Sequence, residues 1–151
     1  MSKKSLLTLI YLSLLCSCAT EKPEIRTISE LTSDGNYLIK WETFPSIEGT
    51  VKIFSSPSQD VFESNILIAE EKTISSGYAT LPPLANTART YFELVFNKDF
   101  SVITTQRVIP MEKIFNFRDF GGYNNREGAQ LKWGKLYRSS SLDKINDHDL
   151  A

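Results

Sequence analysis

The chain has 151 residues, 41% of them hydrophobic and 23% charged, which suits one ordinary globular domain, or one domain with an appendage, and excludes a collagen-like fibre or a low-complexity tail. Seventeen Lys and Arg against eighteen Asp and Glu leave a net charge of -1, without the basic footprint that DNA or RNA binding requires, so no nucleic-acid partner is expected. Two cysteines, Cys16 and Cys18, and one histidine, His148, offer almost no material for a structural zinc site, a disulfide framework or a Cys-His dyad, and neither metal nor cofactor is expected.

Lys3 and Lys4 precede an almost wholly apolar run from Leu6 to Leu15, broken by Thr8 and Ser13. A membrane-crossing helix takes roughly 20 residues, whereas the core of an export signal takes about 7 to 15. Residues 1–17 therefore read as a signal peptide, an address and not part of the fold. Leu15-Cys16-Ser17-Cys18 resembles the lipobox of bacterial lipoproteins, and the resemblance makes Cys18 the acylated residue. Cys16 fits worse, because Leu15 would then stand just before cleavage, where a small residue is wanted. Simple secretion with cleavage near Ala19, or a buried hydrophobic helix, are the competing readings. Acylation implies a protein anchored to a membrane of the cell envelope, the outer membrane first, facing periplasm or exterior. Loss of Lys3 and Lys4 with the leader leaves no polybasic patch to assist.

Residues 18–24 are short and polar, as a tether should be. From 25 to 111, apolar-rich stretches alternate with turn signals and no long helical period occurs, so this segment reads as all-β. Strands are expected at Ile25–Leu31, Tyr37–Glu42, Thr50–Ser55, Asn65–Ala69, Ser76–Leu81, Thr90–Asn97 and Ser101–Ile109. Asp34-Gly35-Asn36 supplies a tight turn, and Asn97-Lys98-Asp99 a hairpin. Alternation in Tyr37-Leu38-Ile39-Lys40-Trp41-Glu42 puts Tyr37, Ile39 and Trp41 on the inward face. Trp41 in the second strand, the Leu81-Pro82-Pro83-Leu84 bend and Tyr91 opening the sixth together resemble a fibronectin type III or related immunoglobulin-like sandwich; the absence of the disulfide cysteines favours the former. The aromatic residues of this segment read as core. A glycan or peptide site among Phe44, Phe54, Phe62 and Phe100 is the sharper alternative.

From residue 112 the composition shifts to glycines, an Arg-Asp pair and close-set aromatics. In Asn116-Phe117-Arg118-Asp119-Phe120-Gly121-Gly122-Tyr123, Asn116 and Asp119 can accept backbone N–H bonds, Arg118 can clamp carbonyls or a carboxylate, and Gly121-Gly122 admits angles other residues resist. Gly128 falls in a turn, and Gln130 to Ser139 alternates enough for a strand or hairpin arm. Asn146, with Asp149 three residues on, is an N-cap, so a helix should begin near Asp147. Isolated helices shorter than ~12–15 residues are marginal, and a helix signal this close to Ala151 reads as a chain cut short.

Asn-Phe-Arg-Asp-x-Gly-Gly-Tyr, then Lys-Trp-Gly-Lys-Leu-Tyr-Arg-Ser-Ser and an Asp-x-Asp-Leu helix start, resemble the opening of bacterial tyrosine-protein phosphatases of the atypical dual-specificity and phosphoinositide-active kind. The resemblance covers residues 116–151 and implies that 112–151 is the front of an α/β phosphatase domain behind the sandwich. It implies a phosphoprotein or other phosphate monoester as substrate of the full-length enzyme. In that family the reaction belongs to a later loop, His-Cys-x5-Arg, whose thiolate attacks phosphorus. Both cysteines here lie at or before the lipid site, so no catalytic residue is assigned. Asn116, Arg118, Asp119, Gly121, Gly122, Arg138 and Ser139 are motif residues, and the chain by itself is expected to be inactive.

Sharper readings of single features fare poorly. Asp119-Phe120-Gly121 matches a kinase tripeptide without the other kinase motifs. His148 between Asp147 and Asp149 is a solvated first turn rather than a metal site. Ser139-Ser140-Ser141 has no base to activate a hydroxyl. Arg118 with Asp119 could bind phosphate, but bracing of the loop is favoured. A non-catalytic lipoprotein module that binds a partner through its sandwich is the alternative to the phosphatase reading.

Overall fold

The computed structural model describes residues 22–150, apart from 63–66, 72–74, 86, 88 and 128. The leader, Cys16, Cys18, most of the tether, the first residues of the fourth expected strand and Gly128 lie outside the described residues. Seven strands form first: β1 Glu24–Leu31, β2 Tyr37–Phe44, β3 Val51–Ser56, β4 Leu67–Glu71, β5 Ser76–Leu81, β6 Tyr91–Phe96 and β7 Phe100–Thr104. They make two antiparallel sheets, ordered β1-β2-β5 and β4-β3-β6-β7. The fold is thus mainly β and sandwich-like, and the fourth strand joins the sheet of the third, unlike an immunoglobulin constant domain, where it joins the first sheet.

Period-two alternation builds the core. Tyr37, Ile39 and Trp41 of β2 and Ala79 and Leu81 of β5 face Val51 and Ile53 of β3 and Phe92, Leu94 and Phe96 of β6 in one buried cluster. Tyr37 meets Phe92 edge to face, ring centres 5.0 Å apart. Each fully buried Val, Ile, Leu or Phe side chain of this cluster stabilises the fold by ~1.5–3 kcal/mol. The β6–β7 turn has positive φ at both Asn97 and Lys98, the requirement of a type I′ hairpin. The Asn97 side chain also accepts from the Thr50 amide at 2.9 Å and donates to the Glu48 carbonyl at 2.6 Å, tying two loops together.

The seventh strand is shorter than its sequence suggests, ending at Thr104 and not at Ile109. Beyond it the backbone is drawn off the sheet: Arg89 takes the Gln106 carbonyl at 2.7 Å, and residues 107–109 pair instead with 117–119 through Asp119 N to Arg107 O and Ile109 N to Phe117 O. The remaining elements are small: β8 Arg118–Asp119 pairs with β9 Tyr137–Arg138, and α1 covers Asp147–Leu150. The strand expected over Gln130–Ser139 is reduced to β9 and a single bridge from Gln130 to Asn124. It is interrupted by a turn at Trp133-Gly134, where Gly134 takes φ +73°.

Candidate functional site

The motif loop is organised around one carboxylate. Asp119 is completely buried, held by β8, and both its oxygens are satisfied. Oδ1 accepts the Gly121 amide at 2.7 Å; Oδ2 accepts the Gly134 amide at 2.7 Å and Arg89 Nη1 at 2.6 Å. Arg89, just ahead of β6, belongs to the sandwich and also donates to the Thr105 hydroxyl at 3.2 Å. A buried charge is tolerable only when paired and hydrogen-bonded, and here the pairing joins the two regions of the chain. The turn at Gly134 therefore has a purpose: it aims an amide at Asp119.

Trp133 is the apolar counterpart. Its backbone is gripped by the Gln59 side chain in both directions, Trp133 N to Gln59 Oε1 at 2.8 Å and Gln59 Nε2 to Trp133 O at 2.9 Å. The indole N–H reaches the Ile103 carbonyl of β7 at 3.3 Å. The ring lies on Gly121 and Gly122 so closely that a Cβ at either would come within 2.4 or 2.3 Å of it or of its backbone. The glycine pair is a flat seat for Trp133, which explains why the sequence has two in a row. Arg107 completes the layer, its guanidinium 4.3 Å from the Tyr123 ring centre and 4.9 Å from that of Trp133, with Nη1 donating to the Asp119 carbonyl at 2.7 Å.

The other motif residues lie apart from this hub. Arg118 does not pair with Asp119; its Nε is buried and without a partner among the described residues. Asn116 takes positive φ (57°) in the turn before β8. Arg138 is exposed above Phe120, 5.7 Å from the ring centre, and Ser139 Oγ donates to the neighbouring Ser140 carbonyl. Phe117 stacks on Tyr137 at 5.1 Å. Burial, then the charge of Asp119, raises the Tyr137 phenol above its ordinary pKa. Asn146 Oδ1 caps α1 on the Asp149 amide at 2.9 Å, while the Asp149 carboxylate accepts the Glu112 and Lys113 amides at 2.6 and 3.0 Å. Lys113 first, with help from Asn146, holds the Glu112 carboxyl below its ordinary value. Of the four aromatics offered as a binding surface, Phe44 is exposed beneath Arg26 and Phe100 packs against the core. No cluster of three His, Cys, Asp or Glu suited to a metal ion occurs among the described residues.

Arg89, Arg107 and Gln59 are the residues that sequence reasoning missed. Arg89 stands thirty positions from Asp119 and is flanked by nothing that marks it, and a lone Gln in a polar loop carries no signal of its partner.

The sequence of residues 109–151 has a counterpart among known families. These residues match the family model described as "Tyrosine phosphatase family". The match takes in β8, β9, α1 and every motif residue named above, and supports a phosphatase-related function. Neither the curated proteins nor the solved structures contain a match to this chain.

Proposed function

We propose that this chain is the lipid-anchored front of a cysteine-dependent protein-tyrosine or dual-specificity phosphatase that hydrolyses phosphate monoesters outside the cytoplasm, with Cys18 as the anchor. The observation that carries the reading is the phosphatase-family match of residues 109–151, on a segment clamped to a sandwich through Arg89 and Asp119. The sandwich, fibronectin type III-like in its strand order, is the mount; residues 112–151 begin the phosphatase domain. The described surface supports this. From residue 109 onward only Ile114 and Trp133 are buried large apolar side chains among the described residues, whereas Phe115, Leu131, Leu136, Leu142, Ile145 and Leu150, none of them in the groove between β1 and the chain leaving β7, are exposed. Such a surface calls for a covering partner, as the front of a larger domain does.

The nucleophile of this chemistry is a thiolate, and the only cysteines of this sequence are Cys16 and Cys18. The chain by itself is therefore inactive, and turnover belongs to the form that carries the His-Cys-x5-Arg loop. Sequencing the gene beyond the Ala151 codon tests this. A His-Cys-x5-Arg stretch is expected within roughly one further domain length, about 100–150 codons; its absence favours the lipoprotein binding module. Radiolabelled palmitate should enter the protein and be lost in Cys18→Ser. Hydrolysis of a phosphate ester by this chain that survives thiol alkylation would contradict the mechanism.

A further inference from the structure

Five buried side-chain polar atoms lack a partner among the described residues, and three of them, Ser29 Oγ, Gln106 Oε1 and Arg118 Nε, belong to residues that line a single groove. Ser29 and Gln106 are only 5% and 7% exposed. Buried polar groups are nearly always paired, so three together in one lining point to an occupant. The groove, of about 720 Å³, opens where β1 and the chain leaving β7 approach each other, and Arg107, Val108 and Tyr123 continue its wall. Its charge is cationic. Arg107 and Arg118 both contribute, neither is in an ion pair among the described residues, and the one acid of the lining, Glu30, has Lys40 at 3.7 Å.

A larger depression of about 1060 Å³ on the outer face of the first sheet makes a weaker candidate. Its two basic residues already have carboxylate neighbours, Arg26 with Glu24 and Lys40 with Glu30.

We propose that the groove binds a phosphate monoester, its oxygens taking hydrogen bonds from Arg118, Arg107 and the Ser29 hydroxyl, and its organic part lying along Leu31, Val108 and Tyr123. Phosphate suits the donors better than carboxylate. It presents three strong acceptor oxygens and close to two negative charges, against two oxygens and one charge. Gln106 adapts, because a half-turn of its amide exchanges oxygen for NH₂. This site goes beyond the phosphatase reading, since binding here needs neither a thiol nor turnover.

Calorimetric titration of the full chain with phenyl phosphate, phenylacetate and inorganic phosphate tests it. Saturable binding of phenyl phosphate is expected, at least about tenfold tighter than phenylacetate, and Arg118→Gln should weaken it by about tenfold or more, the weight of a charge-assisted hydrogen bond. Ser29→Ala, a smaller change that the fold tolerates more readily, should weaken it about threefold to tenfold, the weight of a neutral hydrogen bond. Lys144→Gln, an exposed cation outside the groove, should leave it unaltered. Retention on vesicles containing phosphatidic acid, set against soluble phenyl phosphate, tells a lipid headgroup from a free ester; preference for either, lost in Arg118→Gln, supports the site. Equal affinity for phenylacetate, no saturation in the millimolar range, or binding indifferent to both groove variants would overturn it. None of those failures touches the phosphatase match of residues 109–151.

Discussion

The sandwich and the segment behind it are held by different physics. In the sandwich, inward side chains from four strands fuse into one apolar cluster, and the fold's stability is spread over many interchangeable contacts. Among the described residues of 112–150 only Ile114 and Trp133 are buried apolar anchors, and position is fixed by a buried carboxylate, a reciprocal Gln59 bond and a glycine seat. Distributed apolar packing tolerates volume-conserving changes, whereas a convergent polar hub fails when one member is removed. The two regions should therefore break differently.

The largest expected effect is at the hub. Asp119→Ala leaves Arg89 without its counter-charge and the Gly121 and Gly134 amides without an acceptor, which should cost ~3–5 kcal/mol. Urea unfolding followed by Trp133 fluorescence in a Trp41→Phe background should show residues 112–150 released first, while far-ultraviolet dichroism still reports strands. One concerted transition would mean that the two regions are a single cooperative unit. Next comes Gly121→Ala, whose methyl would meet the Trp133 backbone; overpacking of this kind costs ~1–3 kcal/mol, read as a lowered urea midpoint. Gly122→Ala adds strain at φ +81°. Third, Asn146→Ala removes the α1 cap, a loss of ~0.5–2 kcal/mol, visible as faster exchange of the Asp149 amide with the sandwich amides unaltered.

The smallest effect depends on pH. The Tyr137 phenol is raised in the folded state, so its contribution is complete below the ordinary tyrosine value and is lost as pH climbs through the higher folded value. The segment should loosen in alkali above the ordinary phenol range, and Tyr137→Phe should remove that part of the pH dependence. The Glu112 carboxyl works in the opposite sense: held low, it contributes above the ordinary carboxyl range and loses its contribution as acid protonates it. A stability profile flat at both ends would contradict these assignments.

What could be read beforehand divides along the same line. The seven strands, the Tyr37, Ile39 and Trp41 face, the Asn97 turn and the helix start at Asp147 were visible, because each is written in local alternation, turn chemistry or capping. The end of β7 was not, since the pull on residues 105–109 comes from Arg89 and from residues 117–119, distant in sequence. Gln130–Ser139 misled for a related reason: its alternation suits a strand, but Gly134 must turn to reach Asp119. The motif itself was legible as a pattern, and its polar residues suggested bracing. Which Arg would meet Asp119 was not legible, because the neighbouring Arg118 offered a local answer and the true partner lies in the loop leading into β6.

The reciprocal bond between Gln59 and the Trp133 backbone bears on how this protein can be taken apart. It originates in the loop after β3, Arg89 in the approach to β6, and Arg107 in the stretch after β7. Transplanting residues 112–150 onto another sandwich would bring the plug without its socket. An engineer who wants the two pieces to be interchangeable must graft these three side chains as well, or accept a swivelling joint in place of a fixed bracket.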